Sequence, residues 1–347
     1  MLENYKVLGV SAGGGALLHP FLGRIIANVE PRSVFHMPND DQWHLNFRGV
    51  PVYWDKLDDD WSPDVIVSSP DCGASSIMRL SKVKKLGKPE ENKSLHLVLT
   101  AIEKYKPSVF LIENLPRMLD LLPEGYFKEN FPDYKIITHC HSVMEFGNSQ
   151  KSRKRLIIIG VRRDKPRAFR RAFREVFKVS TPKIVKDLLE PAYNKENYNI
   201  PPKKTLAMYD YRKLPDKTTL TVRKIRRLWV GDFKDEYKWP IKTAKMKTLP
   251  GVYRLREDSF PLTVRPADRQ FRPDGWPLGI EDYKAIMGFP KSFKIYMDED
   301  RYLFYLNKAR VTLCKGSVYE VGLWFKKCIE NYLNLELPNS LSSRTLH

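Results

Sequence analysis

The sequence predicts an α/β fold in which a mostly parallel sheet carries helices on both faces. Short apolar runs alternate with segments of helical periodicity through residues 1–163, which is the pattern of repeated strand–helix units. Several of the runs lead directly into glycine-rich or polar loops. Because such sheets bind ligands at the carboxyl ends of their strands, we expect these loops to meet at one site.

The first predicted unit begins with the apolar run KVLGV at residues 6–10. The glycine-rich turn that follows the run consists of Ser11, Ala12, Gly13, Gly14 and Gly15. Apolar spacing over residues 16–26 then predicts a helix. The glycines allow the chain to turn tightly where the strand ends.

Two further runs end at residues that can do chemistry. Residues 64–68 (DVIVS) lead into the sequence Ser69, Pro70, Asp71, Cys72, and residues 108–112 (SVFLI) lead into Glu113 and Asn114. Helical spacing over residues 92–104 separates the two runs, and residues 134–141 and 156–162 complete the series of predicted strands. Three loops with polar or nucleophilic residues are therefore expected at one edge of the sheet.

The composition points to a polyanionic partner. The 347 residues carry a formal net charge of +19, and 42% of them are hydrophobic. An apolar content of this size supports a buried core and excludes a disordered or low-complexity chain. Nucleic acid is the first candidate partner and an anionic membrane surface is the second. The apolar runs are too short to span a membrane, and the amino-terminal residues do not have the pattern of a signal peptide.

The four cysteines favour a reducing, cytoplasmic setting and no structural metal. They are widely spaced and form no CxxC pair, so neither a disulfide framework nor a zinc site is indicated. Cys140 lies between His139 and His141. Alternation along the predicted strand places the two histidines on one face and the cysteine on the other.

The chain is expected to divide into three parts. Residues 1–163 form a first domain, residues 164–270 a basic lobe, and residues 271–347 a carboxy-terminal segment. The region around the first boundary is strongly basic, since residues 151–200 hold fifteen Lys/Arg and five Asp/Glu. Apolar residues on one face predict an amphipathic helix over residues 317–333.

Taken in order, the motifs resemble those of the cytosine-C5 DNA methyltransferases. The matching segments are the glycine-rich turn, the Pro70–Cys72 loop with Ser76, the Glu113–Asn114 pair, Arg153-Lys154-Arg155, Leu262-Thr263-Val264, Gly288-Phe289-Pro290 and Gly316-Ser317-Val318. The resemblance covers nearly the whole chain apart from the basic lobe. It implies a Rossmann-like class I sheet, of the kind that uses S-adenosylmethionine, with a smaller basic target-recognition lobe. It further implies that the first domain is catalytic and binds a cofactor, and that the carboxy-terminal segment returns to it.

The resemblance also implies roles for individual residues. Catalysis is assigned to Cys72, Glu113, Arg153 and Arg155. S-adenosylmethionine is expected at residues 11–15, Glu30, Asp55, Pro70, Ser317 and Val318, and DNA at Ser76, Arg79, Asn114 and Thr263. Glu30 is the candidate acid for the ribose, and Asp55 resembles the acid that contacts the adenine. The implied partner is double-stranded DNA, bound by a monomer in the cytoplasm of a bacterial or phage-infected cell.

The residue types fit the chemistry of methyl transfer to cytosine carbon 5. This carbon is a poor nucleophile until a thiolate adds to carbon 6, and a cysteine thiolate both adds and leaves readily. Glu113 can act at cytosine N3, and an arginine can stabilise charge at O2. The target base must first leave the stacked helix, because a closed pocket cannot reach it there.

The chain departs from the family pattern at several positions. Asp71 stands where the family usually has proline, and Gln150 lies one position early relative to the arginines. Ala12 replaces the first glycine of the turn, and Lys315 replaces an asparagine. These differences leave two alternatives open: an RNA enzyme of the same chemistry, like the branch that methylates tRNA, and a non-catalytic DNA-binding relative.

Overall fold

We analysed the protein as a computed structural model. The structure describes residues 4–32, 39–71, 92–120, 122, 124–189, 252–264, 269–273, 278–295, 312–314 and 316–336. The predictions for Cys72, Ser76 and Arg79 therefore concern positions outside the described residues.

A seven-stranded sheet forms the centre of the fold. The strands are β1 (Val7–Val10), β2 (Ile25–Glu30), β3 (Val52–Trp54), β4 (Val65–Ser68), β5 (Val109–Asn114), β6 (Tyr134–Ser142) and β7 (Lys154–Arg162). Their order is β3-β2-β1-β4-β5-β7-β6, and only β7 runs antiparallel to its neighbours. The predicted α/β fold with a mostly parallel sheet is thus confirmed.

The middle strands are buried on both faces because helices cover them. Strands β1, β4 and β5 are buried along their whole length, as expected for apolar runs in a parallel sheet. Helix α1 spans Asn39–Asn46, α2 spans Lys93–Tyr105 and α3 spans Glu124–Asn130. Helix α2 begins where the sequence predicts, with Asn92 as its N-cap, and packs its apolar face into the core.

The helix predicted for residues 16–26 is wrong. The chain instead makes turns and a short 3₁₀ helix at His19–Phe21, and β2 already begins at Ile25. Gly23, within this segment, adopts a positive φ angle of 84°, which a regular helix does not contain. Pro20 also lacks the N–H group that a helix interior requires.

The chain divides into two compact units, each described here by itself. The first unit consists of Met1–Gly147, Lys154–Ser180 and Gly316–His347, and the second of Asn148–Arg153 and Thr181–Lys315. The boundary predicted at residue 163 therefore falls inside the first unit. Residues 271–315, expected to return to the catalytic domain, belong to the second unit, and the return begins at Gly316.

Aromatic packing explains why the first unit extends to Ser180. Helix α4 (Arg167–Arg171) buries Phe169, and the following Phe173 is also buried. In the helix Tyr319–Glu336, Tyr332 lies 4.7 Å from Phe169 and Phe325 lies 5.5 Å from Phe173, measured between ring centroids. The late amphipathic helix thus closes the core of the first unit, and the basic residues around Phe169 do not form a separate lobe.

The second unit contains a small sheet and short helices among its described residues. Strands β8 (Val252–Arg254) and β9 (Arg269–Phe271) pair in parallel. In this unit, helix α5 spans Val185–Leu188 and α6 spans Ile280–Ile286. The helix Tyr319–Glu336 of the first unit is numbered α7. A buried ion pair joins Arg272 to Asp282, at 2.5 Å between Nη1 and Oδ1. Within the described part of the chain, no helix is long and apolar enough to cross a membrane.

Candidate active site

The segment 69–71, which leads into Cys72, is held at every residue. The N–H of Ser69 donates to the carbonyl of Ser11 (3.2 Å), and the carbonyl of Pro70 accepts from the side-chain amide of Asn114 (2.8 Å). The N–H of Asp71 donates to Ser94 Oγ (2.6 Å), and its carbonyl accepts from Asn92 Nδ2 (3.0 Å). Hydrogen bonds therefore fix the backbone of residues 69–71, the last described residues before Cys72.

Glu113 is a buried carboxylate near the carboxyl end of strand β5. It is 2% exposed and precedes the final residue of β5. Its Oε2 accepts a hydrogen bond of 2.7 Å from the hydroxyl of Ser69. The Nε of Arg155 lies 2.7 Å from Oε1, yet none of the described donors is aligned with Oε1 for a hydrogen bond. One carboxylate oxygen is thus fixed, and the other is charge-paired but still able to accept a hydrogen bond.

The antiparallel strand β7 explains how Arg155 reaches Glu113. In the ladder between β5 and β7, Glu113 stands opposite Ile157 and Asn114 opposite Leu156. The neighbouring strands β5 and β6 end at this edge of the sheet. Because β7 runs in the opposite direction, it begins there, next to the carboxyl end of β5. Arg155 is 8% exposed, so the pair with Glu113 is largely removed from water.

The structure separates the two arginines that the sequence treats alike. Arg153 is 2% exposed and donates to the carbonyl of Val264 (3.2 Å) and to that of Cys314 (3.0 Å). All three residues belong to the second unit. Arg155 is thus brought to Glu113, whereas Arg153 is used inside the second unit.

The glycine-rich turn after β1 is joined to the end of β2. Ser11 and Gly13 have φ angles of 52° and 58°, and no atom lies within 4 Å of a Cβ built on Gly13. The N–H of Gly13 donates to Glu30 Oε1 (2.9 Å), which also accepts from Asn28 Nδ2 (3.0 Å). Burial raises the pKa of Glu30, although these donors and the N–H of Ala12 act in the opposite direction.

Asp55 lies immediately after β3. It has a φ angle of 55°, and its N–H donates to the carbonyl of Glu30 (3.0 Å). The Asp55 carboxylate accepts from the N–H of Arg32 (3.1 Å). The two acids predicted to bind one cofactor, Glu30 and Asp55, are therefore neighbours at the same edge of the sheet.

Ser317 and Val318 belong to the first unit and precede helix α7. Both are buried, and Ser317 Oγ has no hydrogen-bond partner among the described residues. Helix α7 approaches the turn after β1 closely, since a Cβ on Gly322 would lie 2.6 Å from the carbonyl oxygen of Leu17. This close packing places the α7 terminus beside the segment that follows the glycine-rich turn.

Thr263 and Asn114 have partners inside the protein. Thr263 Oγ1 lies 3.1 Å from Ser152 Oγ within the second unit. The Asn114 side chain donates to Pro70 and accepts from the N–H of Leu115 (2.8 Å). The structure therefore uses the Asn114 amide to position the 69–71 segment.

Sequence reasoning missed three residues of this site. Ser69 was noted only as part of a motif, and Asn92 and Ser94 were noted only within a helical run. A polar residue before an apolar periodic segment does signal an N-cap at Asn92. The hydrogen bonds from Asn92 and Ser94 to Asp71 join residues about twenty positions apart, and no local pattern reports such contacts.

The strand order and the polar edge define a Rossmann-like class I methyltransferase. The chain also matches the family of C-5 cytosine-specific DNA methylases over residues 50–306. Because the match covers well over half of the chain, the protein belongs to this family. The resemblance seen in the sequence motifs is thereby confirmed. No curated protein sequence matches the chain significantly.

Solved structures share the fold at low sequence identity. A protein described as a DNA modification methyltransferase encoded within an E. coli prophage has a TM-score of 0.60 at 16% identity, over 95% of this chain and 99% of that one. Dnmt2 of S. pombe has a TM-score of 0.58 at 13% identity, with the same coverage. A methyltransferase of Entamoeba histolytica, EhMeth, has 0.55 at 17% identity, over 95% and 98% of the two chains.

S-adenosylmethionine is the methyl donor of this family, and the residues present fit it. The donor carries ribose hydroxyls, which pair with a carboxylate such as that of Glu30. The open space at Gly13 leaves room for a ligand against the backbone. The buried hydroxyl of Ser317, without a partner among the described residues, is also available to a polar ligand group. Ligating clusters of three or more His, Cys, Asp or Glu are absent from the described residues.

Proposed function

We propose that the protein transfers a methyl group from S-adenosylmethionine to carbon 5 of cytosine in duplex DNA. The observation that carries the proposal is the Glu113 carboxylate, buried with Arg155 and retaining one oxygen that can accept a hydrogen bond. It lies at the sheet edge where the 69–71 segment leads into Cys72. A buried acid beside a cysteine loop matches what C5 chemistry requires.

In this proposal Cys72 is the nucleophile. Its thiolate adds to carbon 6 of the cytosine, and the displaced ring electrons move to carbon 5 and toward N3 and O2. Carbon 5 then takes the methyl group that S-adenosylmethionine would supply as an electrophile; the bond between sulfur and this methyl group breaks, and S-adenosylhomocysteine leaves as a neutral thioether. Loss of the C5 proton to a base finally restores the ring double bond and expels the Cys72 thiolate. The residue or water that accepts this proton is not assigned.

Glu113 and Arg155 bind the ring while charge develops on it. Glu113 Oε1 contacts the N3 and N4 edge of the cytosine and stabilises the proton at N3, while Ser69 holds Oε2. Arg155 donates toward O2 from the same buried pair, where a low-dielectric setting strengthens the contact. Arg153 takes no part in this step, because its guanidinium donates to the carbonyls of Val264 and Cys314.

The donor is held along the edge formed by β1, β2 and β3. Glu30 binds the ribose and Asp55 the adenine end, over a floor made by residues 11–15. Pro70, Ser317 and Val318 line the remaining walls. Glu30 keeps one oxygen on the N–H of Gly13, so a donor that binds Glu30 also fixes the glycine-rich turn.

Duplex DNA is the proposed polymer because the chain carries a net charge of +19. Phosphate contacts by Lys and Arg supply most of such affinity. The target base is turned out of the helix at a cost of a few kcal/mol, which the phosphate contacts offset. Ser76, Arg79 and Thr263 are proposed DNA contacts, and the second unit is proposed to read the sequence. The enzyme acts as a monomer in the cytoplasm.

Transfer of tritium from labelled S-adenosylmethionine tests the proposal. Wild type, Cys72→Ala and the matched control Cys140→Ala are each given duplex DNA and, separately, tRNA. We expect label in DNA with wild type and with Cys140→Ala, since Cys140 is exposed, and none with Cys72→Ala. Label only in tRNA overturns the DNA assignment. Label in neither polymer favours a binding protein that has kept the fold.

A further inference from the structure

Both backbone groups of Asp71 are bonded by the beginning of helix α2. The N–H of Asp71 donates to Ser94 Oγ at 2.6 Å, and its carbonyl accepts from Asn92 Nδ2 at 3.0 Å. This carbonyl belongs to the peptide bond that joins Asp71 to Cys72. Because a peptide group is planar, fixing this carbonyl fixes the orientation of the peptide group that follows the Asp71 Cα.

Ser94 does not serve its own helix in the usual way. The N-cap function belongs to Asn92, whose Oδ1 accepts from the N–H of Leu95. Ser94 is 1% exposed, and its hydroxyl accepts from a residue 23 positions earlier in the chain. A buried serine that only stabilised the helix would not need this partner.

Ser94 also lies between two loops of the site. Its backbone carbonyl accepts from the hydroxyl of Ser11 (3.1 Å), and the carbonyl of Ser11 accepts from the N–H of Ser69 (3.2 Å). The glycine-rich turn, the 69–71 segment and the start of α2 are therefore closed into one hydrogen-bonded ring. Among the described residues, the bond to Asp71 is the one that uses the Ser94 side chain, so Ser94→Ala removes it and leaves the backbone contact to Ser11 in place.

The bond to Ser94 depends on the residue type at position 71. Proline has no N–H group, so a proline at this position could not donate to Ser94. Asp71 supplies the donor, and it also lacks the fixed φ angle that a proline ring imposes. The hydrogen bond to Ser94 thus restores a constraint on the backbone just before Cys72.

We propose that Ser94, supported by Asn92, is a positioning residue for the Cys72 thiol. The proposal rests on the function given above for Cys72. Ser94 acts by holding the Asp71 peptide, and it touches neither the base nor the methyl donor. Small displacements of a reacting atom cost large factors in rate, so loss of the bond reduces turnover more than it reduces binding.

Steady-state kinetics of Ser94→Ala and Ser94→Thr test this role. We expect kcat to fall about 10-fold to 100-fold in Ser94→Ala, with KM for S-adenosylmethionine changed less than about 2-fold. Ser94→Thr keeps the hydroxyl and recovers most of the rate. The control Ser68→Ala removes a buried serine hydrogen bond of similar kind, to the carbonyl of Leu111 (2.8 Å). We expect Ser68→Ala to retain the wild-type kcat, even if its melting temperature falls as much as that of Ser94→Ala.

A second comparison tests the hydrogen bond itself. Asp71→Pro removes the donor, so adding Ser94→Ala to it should cause no further loss of rate. Hydrogen exchange of the Asp71 amide should quicken in Ser94→Ala and return toward wild type in Ser94→Thr. Exchange needs no turnover, so it is informative even if wild type methylates no polymer. Unchanged exchange in Ser94→Ala, or equal loss of kcat in Ser94→Ala and Ser68→Ala, overturns the proposal.

Discussion

Replacing Glu113 with glutamine separates the charge of this side chain from its shape. The amide keeps the size of the carboxylate, and the hydroxyl of Ser69 can still donate to its oxygen. The change leaves the guanidinium of Arg155, 2.7 Å away and 8% exposed, without its negative partner. Removing one member of a buried ion pair costs about 3–5 kcal/mol, so we expect a lower free energy of unfolding by that amount.

The effect on catalysis follows from the proposed role of Oε1. A glutamine amide can donate to N3 of a neutral cytosine, so the base still binds, but its uncharged NH2 end cannot accept from N3–H and cannot stabilise a proton there as the carboxylate does. Positioned proton transfer contributes about 10²-fold to 10⁴-fold in rate. We therefore expect kcat to fall by that factor while KM for DNA changes less than about 3-fold.

Initial rates of tritium transfer, at saturating donor and varied DNA, measure kcat and KM separately. Urea denaturation confirms that the variant is folded. Glu145→Gln is the matched control. Its carboxylate pairs with His141 but is 50% exposed, and such surface pairs contribute about 0–1 kcal/mol. A Glu113→Gln enzyme that keeps kcat within about 3-fold of wild type would refute the role given to this residue.

Four further predictions address the remaining parts of the account. Arg153→Ala removes two hydrogen bonds of a buried guanidinium, each worth about 1.5–3 kcal/mol. Urea denaturation should show a lower free energy of unfolding, while equilibrium dialysis should show unchanged binding of the methyl donor. Ser317→Ala should weaken donor binding about 5-fold to 10-fold in calorimetry without lowering the melting temperature, because it deletes a buried hydroxyl that lacks a bond. Burial raises the pKa of Glu30, so its contribution to stability is complete below its ordinary pKa of 4.5 and is lost as the pH rises through the raised value. As the pH rises from below 4.5 through the raised pKa of Glu30, the melting temperature of Glu30→Gln should therefore fall less than that of wild type. An equal fall in the two proteins would contradict the raised pKa. DNA affinity should decrease linearly on a logarithmic salt scale, with a slope of about −0.9 per phosphate contacted; a flat salt dependence would contradict a role for the net positive charge in binding.

The sequence predicted strands β1, β4, β5 and β7 well because each contains a continuous apolar run. Buried strands of a parallel sheet need no polar alternation, so runs such as residues 64–68 and 108–112 are visible without structural information. The same reasoning placed Glu113 at a strand end, where the structure also has it. The family resemblance pointed to Glu30 and Asp55, which lie at the end of β2 and just after β3. The prediction that His139 and His141 lie on the same face of β6 was likewise correct, since the centroids of their rings lie 5.5 Å apart.

The errors arose where tertiary contacts override local pattern. Apolar spacing at residues 16–26 resembled a helix, but these residues are buried by packing in turns, against helix α7. The basic residues near Phe169 suggested a solvated lobe, while Phe169 itself belongs to the core of the first unit. Charge along the sequence therefore did not report the boundary between the units.

The site was only partly predictable for a related reason. Arg153 and Arg155 lie two positions apart in one basic run, and only the partners from distant segments distinguish them. The bonds from Ser69 to Glu113 and from Ser94 to Asp71 also join distant segments. Sequence indicates which residues can do chemistry, whereas the structure shows which of them are held together.

A duplex that contains 5-fluorocytosine tests the central claim most directly. Fluorine at carbon 5 cannot be lost as a proton, so the enzyme cannot eliminate its thiolate and remains bound to the base. Mass spectrometry of peptides after incubation with S-adenosylmethionine should locate one adduct, on Cys72, and none in Cys72→Ala. An adduct on Cys140, or no adduct from an enzyme that methylates unmodified DNA, would contradict the proposed mechanism.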